Sequence, residues 1–335
     1  MIFSSKRKSL RQVFCLLFCL FLLPCSSLAS SMEVEEISTA PSLPLDFSFG
    51  SVPREDALSE TKDEAGNPVL TYEDSTIRAV VTKTAHKKTT VWIADIVISD
   101  PSQLRTASAV NISFNNANDR EYAVSTAQHV NAVVAMNGDS WGVKNEKHNL
   151  GCTFRQGQLI SARLSDRDKW AMDLLLIDEN GDFHGLHRAK DGDLPDPSEF
   201  EGHKITNIFA FGPILVENGE AVADFHGAQQ WMNMAWQDHT SRIALCQVDK
   251  LHYKIIVTAG KFRGDAGITL TDFAEYVASQ GVRFAYNLDG GVSSMLYLHG
   301  YDKINSKDHP EHRMLWDIIY FASAESAGNA LPAVP

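Results

Sequence analysis

From about residue 77 to residue 322 the chain is a succession of short apolar runs closed by polar turns. Residues 91–98 (VWIADIVI), 132–136 (AVVAM) and 172–177 (MDLLLI) are β-branched or aliphatic runs of strand length, and the polar clusters that bound them predict β-strands. Asn180-Gly181 and Asn218-Gly219 predict hairpins, because both residue types accept the positive φ angles of a tight type I′ turn. Residues 269–281 (TLTDFAEYVASQG) predict a helix. Leu270, Phe273, Ala274, Val277 and Ala278 fall on one face, Thr269 and Asp272 have the spacing of a capping box, and Gly281 suits the left-handed position past the last turn. Val282, Phe284, Tyr286 and Leu288 then alternate with other residues, which predicts a half-buried strand ending at Asp289-Gly290-Gly291. No repeat with a period of about 20 to 50 residues is visible, which excludes solenoids and propellers. The expected fold is α+β, with mixed β-sheets and few helices in a single domain of one or two sub-lobes.

The ends of the chain read differently. Lys6, Arg7, Lys8 and Arg11 precede an apolar run from Val13 to Leu23, and Ser27 and Ala29 follow at the spacing of an A-x-A-like cleavage site. Residues 1–29 are therefore expected to be a secretory signal peptide, with a lipid anchor on Cys25 as the alternative. The apolar run is about half the roughly 20 residues a membrane span needs, so no transmembrane helix is expected in the mature protein, which would be secreted or held in the cell envelope. Residues 30–75 contain Glu33, Glu35, Glu36 and the run APSLP without a sustained period, as a tether and lead-in segment would. Residues 76–323 form the expected domain and 324–335 a tail.

Composition sharpens this picture. The formal net charge is −12, and a phosphate backbone is held by clustered Lys and Arg, so nucleic acid is excluded as a partner. Loss of the four basic residues of the leader, which has no acidic ones, takes the charge from −12 to −16. An anionic substrate would then need local positive charge. Of five cysteines, three (Cys15, Cys19, Cys25) lie in the leader. Cys152 and Cys246 remain, enough for one disulfide or for two buried thiols, and too few for a Cys-rich zinc site.

Candidate chemistry sits at two strand ends. In NLDGGVSS (287–294) a carboxylate leaves an apolar strand, two glycines permit close backbone approach to a ligand, and two hydroxyls follow. The bland alternative is a hairpin with a capping Asp. The run AVVAM ends in Asn137-Gly138-Asp139-Ser140-Trp141-Gly142, again a polar cluster after an apolar strand, with an aromatic ring close by. Two carboxylates at two strand ends suggest one cleft in which acid and base work is shared.

The order of AMNGDSWG (135–142), FGPILVENGE (211–220), SRIALCQVD (241–249), ITLTDFAEYVASQGVRFAYNLDGGVSSMLYLHG (268–300) and WDIIYF (316–321) resembles the phosphodiester glycosidase domain, a family that includes exported bacterial proteins associated with exopolysaccharide. The resemblance implies hydrolysis of a sugar 1-phosphodiester on the glycosidic side, releasing a sugar and a phosphomonoester. It implies Asp289, Asp139 and Arg242 as catalytic residues, with Asp289 as base or nucleophile and Asp139 as sugar binder or second carboxylate. Asn137, Gly138, Arg105, Gly290, Gly291, Ser293, Ser294 and Trp141 would bind substrate. A guanidinium can bind two phosphodiester oxygens in parallel, and the Gly290 and Gly291 N–H groups could stabilise leaving-group charge. The chain departs from the family pattern in Ser241-Arg242-Ile243-Ala244-Leu245-Cys246 and in Val292 and Met295. The alternative is therefore a noncatalytic carbohydrate-binding protein of the same fold.

Other features carry less. His184 with His187, and His309 with His312, are three apart in sequence without helical pattern, which argues weakly for zinc. No cofactor is required by the implied chemistry. The acidic stretches 178–180 (DEN) and 191–197 (DGDLPDP) offer at most a weak calcium site. Ser293 and Ser294 lack the Gly-x-Ser-x-Gly elbow of a serine hydrolase, and Trp231 and Trp236 are read as packing residues.

Overall fold

The computed structural model describes residues 42–110, 120–138, 153–161, 172–189, 199–225, 237–260, 265–301 and 313–325. In chain order the strands are β1 (Leu58–Lys62), β2 (Pro68–Glu73), β3 (Ile77–His86), β4 (Thr89–Ile98), β5 (Leu104–Ser108), β6 (Glu121–Tyr122), β7 (Ala132–Asn137), β8 (Thr153–Arg155), β9 (Gln158–Ser161) and β10 (Met172–Asp178), followed by β11 (Phe183–Ala189), β12 (Ile205–Phe209), β13 (Ile214–Glu217), β14 (Glu220–Ala221), β15 (Ile243–Asp249), β16 (His252–Thr258), β17 (Phe284–Leu288), β18 (Leu296–Leu298), β19 (Met314–Leu315) and β20 (Asp317–Ala322). The described α-helices are α1 (Ala123–His129) and α2 (Leu270–Ala278).

The largest sheet has nine strands in the order β1-β2-β3-β4-β16-β15-β17-β13-β14. A five-stranded sheet runs β11-β10-β12-β8-β9 and a four-stranded sheet β18-β7-β20-β5. Of the expected α+β fold with mixed β-sheets and few helices, the predominance of sheet and the scarcity of helix are met, while parallel pairing is not seen among the described strands. The described ladders are antiparallel throughout, and antiparallel neighbours can be joined by tight reversals without helical crossovers. That is why so little helix is needed. Residues 58–73, part of the expected lead-in, supply β1 and β2 at the edge of the large sheet.

One hydrophobic core lies between the sheets. It gathers Ala94, Ile96, Ile255, Leu245, Tyr286 and Leu288 from the nine-stranded sheet, Val134, Met136, Leu296, Ile319 and Phe321 from the four-stranded sheet, and Leu175, Ile177 and Phe209 from the five-stranded one. The far face of the large sheet is covered by α2, whose Leu270, Phe273, Ala274 and Val277 meet Ala244, Cys246, Ile256 and Ala285. The far face of the four-stranded sheet meets α1 through Ala123 and Ala127. Strand β17 is consequently buried at all five positions, not half-buried as its alternation suggested. Phe284, Tyr286 and Leu288 take the inner face, and the small Ala285 fits under the helix.

The turn chemistry is mixed in its legibility. Asn218 (φ 51°) and Gly219 (φ 82°) form the expected two-residue reversal between the paired Glu217 and Glu220. At Asn180-Gly181 only Gly181 has positive φ (79°). Asp178 Oδ1 accepts the N–H groups of Asn180 (2.8 Å) and Asp182 (2.9 Å), so the reversal is wider than a type I′ turn. The cap of α2 is half a capping box: Thr269 Oγ1 accepts from Asp272 N at 3.1 Å, while the Asp272 carboxylate turns to Lys87 Nζ at 2.7 Å.

Candidate functional site

The Asp-Gly-Gly segment is where the chain leaves one sheet for another. β17 belongs to the nine-stranded sheet and β18, separated from Leu288 by the seven residues 289–295, pairs with β7 of the four-stranded sheet, Leu296 opposite Met136. This crossing brings the two polar strand ends together. Asn137, 1% exposed at the end of β7, donates from Nδ2 to the Asp289 carbonyl at 2.9 Å and to the Gly138 carbonyl at 3.1 Å, and its Oδ1 accepts the Met295 N–H at 3.1 Å. The side chain of Asn137 thereby supplies both an acceptor and a donor that buried backbone requires.

Beneath the glycines lies the start of β15. Ile243 pairs with Leu288, so Arg242 and Asp289 are the next residues beyond the last rung. Gly291 (φ 61°) donates its N–H to the Ser241 carbonyl at 2.9 Å. A Cβ on Gly290 would stand 2.6 Å from that same carbonyl oxygen, which is the physical reason for glycine there. Ser241 Oγ lies 2.5 Å from the Thr258 carbonyl, which can only accept, and 2.8 Å from Ser294 Oγ. The single Ser241 proton goes to Thr258, so the Ser294 hydroxyl donates to Ser241. Ser293 Oγ accepts from Arg313 at 3.3 Å.

Arg242 is buried. Nη2 donates to the Asp238 carbonyl at 2.9 Å, the Nε contact to the Ile268 carbonyl is 3.4 Å, and its backbone N–H is held by Thr258 Oγ1 at 2.9 Å. Desolvation pulls its pKa down to about 10, against the opposing field of Asp238. It remains a cation at neutral pH, and a cation in a low-dielectric setting exerts a stronger field than one in water. Behind Gly138, whose N–H donates to the Asp317 carbonyl at 3.1 Å, lies a fully buried ion pair. Arg155 reaches Asp317 Oδ2 from Nε (3.1 Å) and Nη2 (3.0 Å) and stacks over Phe209 at 4.1 Å from the ring centroid. A Cβ on Gly138 would overlap the Asp317 carboxylate.

Of the residues expected in the site, Asn137, Gly138, Arg242, Asp289, Gly290, Gly291, Ser293 and Ser294 are drawn together in this way. Asp139 and Trp141 lie outside the described residues, as do Cys152, Trp231, Trp236, His309, His312 and residues 191–197. Two of the groups expected to bind substrate are engaged within the protein. The Arg105 side chain is 1% exposed and faces the carbonyls of Pro44 (3.1 Å), Asp46 (3.0 Å), Ser48 (3.3 Å) and Ser102 (3.0 Å) and the Tyr320 hydroxyl (3.2 Å). Its fork fastens the 44–48 segment onto β5 and β20. The Gly291 N–H is donated to the Ser241 carbonyl. Cys246 is a free, buried thiol on β15 whose pKa is raised by desolvation, as expected of a packing residue.

Sequence reasoning missed Ser241, Thr258, Arg313, Arg155 and Asp317. Ser241 and Asp317 stood inside the quoted motifs, but only the pairing of strands shows what they support.

The family model described as phosphodiester glycosidase matches residues 130–322, more than half of the chain. The catalytic domain of zebrafish N-acetylglucosamine-1-phosphodiester alpha-N-acetylglucosaminidase, auto-inhibited by pro-peptide, is similar in fold, with a TM-score of 0.55 at 16% identity over 82% of this chain and 87% of that one. A hypothetical protein from Synechocystis gives a TM-score of 0.49 at 16% identity over 78% of this chain and 67% of that one. No curated protein matches the sequence. With its Asn-Gly and Asp-Gly-Gly strand ends joined through Asn137, the chain belongs to the phosphodiester glycosidase family.

Proposed function

We propose that this protein is an exported glycosidase that hydrolyses sugar 1-phosphodiester bonds in envelope or extracellular polysaccharide, releasing a sugar and a phosphomonoester. The observation that carries the reading is the hydrogen bond from Asn137 to Asp289, which unites the family's two polar strand ends at one point. In this reading the anomeric C–O bond to phosphate breaks through an oxocarbenium-like state, stabilised by Asp289 as base or nucleophile with Asp139 as second carboxylate. Arg242 supplies positive charge for the phosphodiester in a chain of net charge −12, and the phosphomonoester is a good leaving group that needs little protonation. An amino sugar is a reasonable first substrate, given the relative's N-acetylglucosamine-1-phosphodiester. Export rests on the leader-like residues 1–29. No helix among the described residues is long and apolar enough to cross a membrane.

A second reading, carbohydrate binding without catalysis, is favoured by the commitment of the Gly291 N–H to Ser241 and by the burial of Arg242. Release of sugar from a UDP-sugar or a nitrophenyl-phospho-sugar by the purified protein distinguishes the two. Turnover that falls by orders of magnitude in a folded Asp289→Asn variant is the expected result. Glycan binding with no turnover by wild type on any of several sugars would replace the enzyme reading with the binding one.

A further inference from the structure

Away from Asp289, the turn between β10 and β11 meets the loop 199–204. Asp178 is at the centre, its side chain 1% exposed. Oδ1 is fixed by the N–H groups of Asn180 and Asp182, which orients the carboxylate and leaves Oδ2 to two imidazoles. His184 Nε2 lies 3.0 Å from Oδ2 and His203 Nδ1 lies 3.3 Å from it. Glu179 Oε1 is 3.8 Å from the same His203 nitrogen. Ligand atoms of Asp178, Glu179 and His203 all fall within 4.8 Å of one another. The two segments are held in register by the Glu179 N–H on the Lys204 carbonyl at 2.9 Å.

These spacings are those of a small cation's shell. A tetrahedral zinc with bonds of about 2.0–2.1 Å sets its ligand atoms about 3.3–3.4 Å apart; the His203–Asp178 separation of 3.3 Å matches that edge, and the His203–Glu179 separation of 3.8 Å lies a little beyond it. The His184 imidazole, 3.0 Å from Oδ2, holds the Asp178 carboxylate in that orientation. Nitrogen ligands select zinc over calcium, which takes six to eight oxygens. His203 and Glu179 are partly exposed, which gives the ion a path in, and the bonds on Asp178 Oδ1 are the orienting contacts a metal-binding carboxylate needs.

We propose that Asp178, Glu179 and His203 form a three-ligand zinc site that clips the β10–β11 turn to the 199–204 loop, with His184 orienting Asp178 through its 3.0 Å contact to Oδ2. It is independent of the proposed glycosidase chemistry. It draws on His203, which sequence spacing did not suggest; His187 faces Glu217 (2.9 Å) and Asp173 (3.6 Å).

The test is elemental analysis and thermal melting of the full chain after equilibration with zinc sulfate and removal of unbound metal. Zinc retained by wild type, with a Tm that zinc raises and EDTA lowers, is the expected result. The His184→Gln/His203→Gln double variant should lose that zinc, with affinity down at least about tenfold, and melt in zinc as wild type does in EDTA. These two substitutions leave the Asp178 contacts to the turn in place, so the variant is expected to fold. His187→Gln should retain the zinc. Equal zinc content in wild type and the double variant, no retention by wild type, or the same Tm shift from calcium alone would each overturn the assignment.

Discussion

Asn137 brackets the crossing between sheets, with Nδ2 on the carbonyl of Asp289 at 2.9 Å and Oδ1 on the N–H of Met295 at 3.1 Å. An aspartate there would keep the acceptor and lose the donor, and an alanine would lose both. Asn137→Ala is expected to leave buried backbone groups without a partner at a cost of about 1–3 kcal/mol. Asn137→Asp should retain the Met295 contact and lose the one to Asp289. Denaturant melts read the first effect. Turnover on a nitrophenyl-phospho-sugar reads the second, and it should fall in both variants by more than stability does. Wild-type turnover in Asn137→Asp would show that the bridge does not set the position of Asp289.

The Arg155–Asp317 pair carries a stability prediction. Both side chains are fully buried, and Asp317 also takes the Gly138 N–H on its backbone carbonyl. Removing one partner leaves a buried charge uncompensated, so Arg155→Met is expected to destabilise by about 3–5 kcal/mol. Asp317→Leu added to Arg155→Met removes the stranded carboxylate and should recover part of that loss. A double-mutant cycle by urea denaturation measures both, and strict additivity would show that the pair is not coupled.

His187 gives a pH prediction with a definite sign. Its pKa is raised to about 9, chiefly by Asp173, with Glu217 assisting and desolvation opposing. Glu217 is the nearer carboxylate, but Asp173 is the more deeply buried and therefore the less screened by water. The folded value lies above the ordinary 6.5, so the contribution is complete below about pH 6.5 and is lost as pH rises through about 9. Melting temperatures across that interval should decline more steeply for wild type than for His187→Gln. Parallel profiles would remove His187 from the pH response.

Much of the local structure was legible because it is written in local chemistry. The helix α2 follows from its apolar stripe, the cap at Thr269 and Gly281 at φ 72°. The reversal at Asn218-Gly219 follows from residues that accept positive φ. The reversal between β3 and β4 did not, since Lys87 and Lys88 adopt φ of 44° and 63° without any turn signature; there the long ladder on either side imposes the conformation. The candidate site residues near Asp289 were legible as motifs, but their meeting depends on β18 pairing with β7, a contact across more than 150 residues. The carbonyl contacts of Arg105 were not legible, because an arginine at a strand start looks the same whether it meets a phosphate or a set of backbone carbonyls. Only the position of residues 44–48 decides that.

Residues 289–295 belong to neither sheet alone, and this makes the Asp289 region a gauge of alignment. Its carbonyl is referenced to the four-stranded sheet through Asn137, and Gly290 and Gly291 are referenced to the nine-stranded sheet through Ser241. A hydrogen bond tolerates only a few tenths of an ångström before it weakens. Slippage of one sheet over the other too small to disturb the greasy interior would already part these contacts. The proposed chemistry and the tertiary packing therefore share one tolerance, and the polar crossing is the first place where a loosened interior is felt.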